Sequence, residues 1–259
     1  MTQFARLVEY MGSDDSIVQA ARISYNEAGY KEDPVKTRHL IRYLMRNWHT
    51  TPFEMVEFKF HIKAPIYVAR QWLRHRTASV NEVSARYTQI KDDEFYVPME
   101  FRKQSTTNHQ GSDLSNPFDN ETNNAFIELQ NNTCNLAFEN YKTLLDYGVA
   151  KELARAVLPV CTMTEFYWKI NLHNLFHFLR LRMDDHAQLE ISNMAKTIYD
   201  AIKPIVPFSC EAFEDYRLNS ITLSGPEIIA FKTGSIQGLS KREQDEYKLK
   251  CEKLNINTQ

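Results

Sequence analysis

Glycine is scarce in this chain, with 7 among 259 residues, under half of the roughly 7% that is usual. No two of the seven stand two positions apart, so neither a GxGxxG dinucleotide fingerprint nor a P-loop can be drawn. Any phosphate held by this protein must be held by side chains. Cysteine is sparse too. Cys134, Cys161, Cys210 and Cys251 lie far apart with no CxxC pair, which argues against a zinc knuckle or thioredoxin-type site and for reduced thiols in the cytoplasm. No apolar run approaches the roughly 18 residues of a membrane span. The first residues, MTQFARLVEYMG, carry Arg6 and Glu9 where a signal peptide needs an apolar stretch. Excess positive charge is also missing: 31 Lys and Arg face 33 Asp and Glu, for a net charge of -2, whereas nonspecific nucleic-acid binders are usually far more basic. These absences favour a soluble, cytoplasmic protein, with neither nucleic acid nor membrane as partner.

What is present builds a core. Apolar residues make up 43% of the chain and charged ones 25%, a soluble globular mix that needs no disulfide or metal staple. Residues 4–10 read as a strand and 13–23 as a helix opened by Ser13 and Asp14. Asp33-Pro34 starts a helix over 34–48, with Leu40, Ile41, Leu44, Met45 and Trp48 on its apolar face. Strict alternation marks Val56–Ile62 as a half-exposed strand, as expected of an antiparallel sheet. Pro65 opens another helix. Further helices are expected over 121–147, 150–158, 165–183 and 185–202. The polar stretch 102–124 reads as a mobile loop or a lid. The fold class is α+β, a single domain with a mostly antiparallel sheet packed against several helices. The expected boundaries are 1–217 for the domain and 218–259 for a partly helical C-terminal extension.

The densest chemistry runs from Arg70 to Tyr87. Between Arg70 and Arg86 there are four arginines and one glutamate, inside a chain of net negative charge. Guanidinium groups grip phosphate bidentately without a glycine loop. A blander reading has Arg74-His75-Arg76 at a helix end, where cations gain about 0.3–1 kcal/mol from the macrodipole, and Ser79–Glu82 as a capping box. Capping requires none of Asn81, Ser84 or Arg86.

A second cluster spans 151–191. On the expected helix, Asn171 and Arg182 share a face roughly 16 Å apart. His173 and His177 sit one turn apart on another. HxxxH could be a zinc pair completed by His186 with Asp184 or Asp185, although no HExxH glutamate is present. Otherwise the two histidines pack, half-buried, beside Phe176 and Phe178.

The run from Arg74 to Tyr87 fits the pattern RHRxxSxNExSxRY without a gap, and in this it resembles the flavin-dependent thymidylate synthases. The resemblance continues through Thr51-Pro52-Phe53-Glu54, Glu152-Leu153-Ala154-Arg155 to Pro159, and Asn171 to Ile191, covering most of 1–217. It implies a fold of the thymidylate synthase complementing type and reductive methylation of dUMP to dTMP. Methylenetetrahydrofolate would supply the carbon, NADPH the electrons, and tightly bound FAD the hydride. It implies a homotetramer with active sites shared between chains. For dUMP it implies Gln71, Trp72, Leu73, Arg74, Glu82, Val83, Ser84, Ala85, Arg86, Arg155 and Arg182, with Arg182 also the catalytic, ring-activating residue. For FAD it implies Thr51, Arg74, His75, Arg76, Glu82, Asn171, Leu172, His173 and His177. No metal is implied. The chain departs from the family at Met55, where His is common, at Leu172, often Ala, and at His173, often Arg. Two other readings stand beside this one: a cysteine-dependent thymidylate synthase with Cys161 in Leu158-Pro159-Val160-Cys161 as nucleophile, and an arginine-rich nucleic-acid-binding module.

Overall fold

A computed structural model describes residues 2–26, 33–91, 94–106 and 111–255. The chain divides into two compact units, Met1–Phe213 and Glu214–Gln259. The first contains β1 (Phe4–Met11), α1 (Asp14–Arg22), α2 (Pro34–Arg46), α3 (Thr51–Glu54), β2 (Glu57–Pro65), α4 (Ile66–Trp72), β3 (Ser79–Glu82), β4 (Lys103–Gln104), β5 (Ser112–Asp113), α5 (Asn120–Asp146), α6 (Lys151–Ala154), β6 (Met163–Asn171), α7 (Leu172–Arg182), α8 (Leu189–Ile202) and α9 (Pro207–Phe213). The second contains α10 (Gly225–Thr233) and α11 (Lys241–Lys253). No described helix is long and apolar enough to cross a membrane.

The centre of the first unit is an antiparallel sheet in the order β1-β2-β6-β3. Alternation sets its two faces. Phe58, Phe60 and Ile62 of β2 and Phe166, Trp168 and Ile170 of β6 are buried, while Glu57, Lys59, His61, Tyr167 and Lys169 face away. On the buried side Trp72, from the end of α4, stands edge-on to Trp168 at 5.3 Å and tilts against Phe178 of α7 at 4.7 Å. Truncating a core aromatic of this kind costs about 3–5 kcal/mol. This cluster therefore fixes where α4 and α7 end, and both helices end at functional candidates. Farther out, the buried Asp14 carboxylate accepts from the Phe208 N–H (2.8 Å), the Ser209 N–H (3.1 Å) and the Ser209 hydroxyl (2.6 Å), tying α1 to the start of α9.

Three expectations are corrected. The helix expected over 165–183 is a strand followed by a helix, with β6 running to Asn171 and α7 starting at Leu172. Pairing with β2 from Glu57 opposite Asn171 to Pro65 opposite Met163 outweighs local helix preference. Ser79–Glu82 is not a capping box but the strand β3, paired with β6 from Ser79 opposite Lys169 to Glu82 opposite Phe166. Within 102–124, β4 and β5 form a two-stranded ribbon, and α5 begins at Asn120 with Asp119 accepting from the Thr122 N–H. Arg102 there reaches the buried Glu190 of α8 at 2.6 Å. The described part of this segment is therefore anchored; residues 107–110 lie outside the described residues.

In the second unit, α10 and α11 each open with a capping box, Ser224 with Glu227 and Ser240 with Glu243. Ala230, Leu239, Tyr247 and Cys251 form its small core. Lys250 closes it with an ion pair to Glu227 at 2.7 Å.

Candidate active site

Residues 107 positions apart meet where α4 and α7 end. The Arg182 Nε donates to His75 Nε2 at 3.1 Å, and an Arg182 Nη lies 3.4 Å from the Gln71 carbonyl. The Gln71 side chain in turn donates to Gln188, just before α8. Accepting at Nε2 requires a lone pair there, so His75 is neutral with its proton on Nδ1. Its surroundings agree: burial, then the Arg182 charge and His177, push its pKa down to about 4. Arg182 is thus held by two acceptors without formal charge, and among the described residues it makes no ion pair. Its positive charge stays uncompensated in a half-buried place. Trp72 lies in the core, so only its backbone can touch a ligand. Arg74 and Arg76 are exposed beyond the end of α4.

A second group lies at the sheet edge. Glu82, Val83, Ala85 and Arg155 line a cavity of about 440 Å³ together with Lys63, Thr164 and Glu165. Arg155 is exposed at the turn after α6. Ser84 starts a turn, its carbonyl accepting from Tyr87 N–H and Thr88 N–H at 3.0 Å each. Arg86 reaches Glu152 at 3.4 Å, with both side chains about half exposed, a pairing weak enough for a phosphate to displace. None of Gln71, Arg74, His75 or Arg182 lines this cavity.

Around the start of α7 the structure changes the expected picture. Asn171 does not share a helix face with Arg182; it caps the helix, accepting from the Asn174 N–H at 3.0 Å. Leu172 is fully buried and its N–H is taken by the Val56 carbonyl at 2.8 Å. His173 is half-buried and His177 exposed one turn on. Among the described residues no three of His, Cys, Asp and Glu gather to hold a metal. Thr51 lines a larger cavity, about 1090 Å³, with Tyr43 and His49 stacked at 5.8 Å in its wall. The Cys161 sulfur is buried 3.3 Å from that of Cys134, facing another thiol rather than the base a nucleophile needs.

Known proteins share this chain's sequence pattern and fold. Residues 6–208 match the family described as thymidylate synthase complementing protein. The flavin-dependent thymidylate synthase of Dictyostelium discoideum is 51% identical over 253 residues, 95% of this chain and 80% of that one. The chain belongs to the flavin-dependent thymidylate synthase family. The relative of that name from Treponema denticola is 45% identical, with 94% of this chain and 92% of the relative aligned. Among solved structures, the UMP/dUMP methylase PolB from Streptomyces cacaoi, bound with 5-Br dUMP, superposes with a TM-score of 0.76 at 35% identity, covering 84% of this chain and 97% of that one.

Within this flavin-dependent thymidylate synthase fold, sequence reasoning missed Gln188, Thr164 and the Tyr43–His49 pair. His49 stands two residues before Thr51 and was within reach of the motif. Gln188 lies inside the resembling stretch Asn171 to Ile191, whereas nothing local marks Thr164; their partners are 117 and 82 positions away. The His75 contact has a measurable consequence. Its folded pKa, about 4, lies below the ordinary 6.5, so the unfolded chain takes up this proton first. The stability it contributes is whole above about pH 6.5 and is lost as pH falls toward 4. Melting temperatures across this range should fall more steeply for the wild type than for His75→Gln, which accepts from Arg182 without titrating. Parallel curves would remove His75 from the titrating groups.

Proposed function

We propose that the chain catalyses the reductive methylation of dUMP to dTMP in the cytoplasm, with methylenetetrahydrofolate as carbon donor, NADPH as reductant and tightly bound FAD. The observation that carries this reading is Arg182, a fixed guanidinium held by uncharged acceptors. The residues present fit FAD. The cavity of about 1090 Å³ lies just above the roughly 300–1,000 Å³ usual for drug-sized ligands, and it pairs apolar walls with stacked rings and the Thr51 hydroxyl. Thr51 from this wall, and Arg74, His75, Arg76, Glu82, Asn171, His173 and His177 from outside it, with the backbone around Leu172, would hold FAD. Once reduced by NADPH, the bound flavin would supply a hydride for pyrimidine C6.

The chain's own residues do the rest. Arg155, Arg86 and Arg74 bind the nucleotide phosphate, replacing the missing glycine loop. Glu82, Ser84 and the backbone of Gln71–Leu73, Val83 and Ala85 orient the nucleoside. Arg182 faces the O4 and N3–O2 edge of uracil, where negative charge develops, and a preorganised cation there lowers the barrier. The candidates divide between a group around Arg182 and a cavity around Arg155, and this division supports a homotetramer in which one chain's Arg182 group completes another chain's Arg155 cavity.

Purified protein should be yellow, and with folate donor and NADPH it should release tritium from 5-tritiated dUMP. A colourless protein that releases none after FAD addition would overturn the reading.

A further inference from the structure

We propose that Thr164 is a positioning residue for nucleotide binding: its hydroxyl holds the Glu82 carboxylate in the one orientation that leaves Arg155 free for an anionic ligand. This rests on the reading of Glu82 and Arg155 as dUMP-binding residues. Thr164 Oγ1 donates to Glu82 Oε1 at 2.6 Å, the short distance of a hydroxyl bound to a charged carboxylate. Thr164 is 5% exposed, whereas Glu82 lies on an exposed edge strand. In the β3–β6 register Glu82 stands opposite Phe166. Thr164, two residues along β6, is its diagonal neighbour on the same face, within reach of a long side chain.

Glu82 needs holding because β3 fixes only its backbone. Its side chain otherwise keeps much of its rotamer freedom, in a cavity whose wall also carries cations. Lys63 is already occupied, by Glu165 at 2.8 Å and Glu94 at 3.3 Å. Arg155 and Lys91 line the same cavity and make no ion pair among the described residues. A released Glu82 carboxylate would turn to them, and at Arg155 it would neutralise the charge that a phosphate needs. Tethered to Thr164, Glu82 instead presents its second oxygen to donors, which in a deoxyuridine nucleotide are the 3′-hydroxyl and the N3–H.

The test uses flavin-loaded protein, with dUMP affinity measured by calorimetry and kcat and KM measured in parallel. Thr164→Val removes the hydroxyl at nearly constant shape and should weaken dUMP binding about tenfold, raising KM with little change in kcat. Thr164→Ser keeps the donor and should bind within about threefold of wild type on the same scale. In a Glu82→Gln background, Thr164→Val should add little, because the two changes remove one interaction. If Thr164→Val binds dUMP like wild type while Glu82→Gln is weakened, the positioning role is wrong and the reading of Glu82 survives. If Glu82→Gln itself binds normally, that reading fails and the proposal falls with it. Equal weakening by Val and Ser, tracking a loss of melting temperature, would show a structural role and overturn the proposal.

Discussion

Replacing Arg182 by alanine should lower turnover at least about a hundredfold while flavin stays bound. Removing one preorganised donor from developing charge costs roughly 3–4 kcal/mol in comparable sites. The setting of Arg182 is the reason for expecting a loss of that size. The side chain is half-buried, so its field is less screened than at the surface. Its partners, His75 Nε2 and the Gln71 carbonyl, aim the guanidinium without cancelling its charge. Its anchor is the Trp72, Trp168 and Phe178 cluster, which the substitution does not touch, so melting temperature and flavin absorbance should be nearly unchanged. Arg182→Lys keeps the charge but loses the fork that reaches both acceptors, and should recover only part of the rate. Tritium release from 5-tritiated dUMP reads the outcome. A near-wild-type rate for Arg182→Ala would take the residue off the catalytic list.

Two crippled variants mixed together should regain activity that neither has alone. Arg182→Ala breaks the group between α4 and α7. Arg155→Glu reverses the charge in the separate cavity at the sheet edge. If each site takes Arg182 from one chain and Arg155 from another, co-expression assembles some sites from two intact halves. Random assortment in a closed oligomer makes that roughly a quarter of all sites, against a few per cent or less for either variant alone. If a single chain supplies both groups, every site in the mixture carries one broken half and no activity returns. Dilution that dissociates the oligomer should abolish the regained rate, a second readout that a trivial mixing artefact would not produce.

The site was legible in the sequence where chemistry is written locally, and illegible where pairing decides. Arg74 to Tyr87 stands out because arginines, serines and a glutamate crowd a short stretch of a slightly acidic chain, and the alternating Phe58, Phe60 and Ile62 reveal β2 without help. The segment 163–171 misleads for a physical reason. Glu165 and Lys169 stand four apart, as on a helix face, and no glycine or proline separates strand from helix at Asn171. The alternation of Phe166, Trp168 and Ile170 was present, but what decides in its favour is a nine-residue register with β2, about a hundred positions upstream. Ser79 to Glu82 was ambiguous in the same way, since a capping sequence becomes a strand only because the edge of β6 is there to accept it. The meeting of His75 with Arg182, and of Thr164 with Glu82, depends on both outcomes at once. No window of sequence contains them.

β3 also has an energetic character of its own. Its four residues are all exposed and pair along one side only, to β6. Such a strand opens locally at a small fraction of the global unfolding free energy. The amides that β2 and β6 bond to each other lie between two central strands and reach solvent only when the sheet itself comes apart. Hydrogen exchange in the unliganded chain should therefore run faster through Ser79–Glu82 than through the β2–β6 pairing, and a nucleotide seated against Glu82 would slow it there first. Part of the binding free energy then goes into closing this strand. The measured affinity for dUMP thus reports the folding of the sheet edge as well as the contacts made to the ligand.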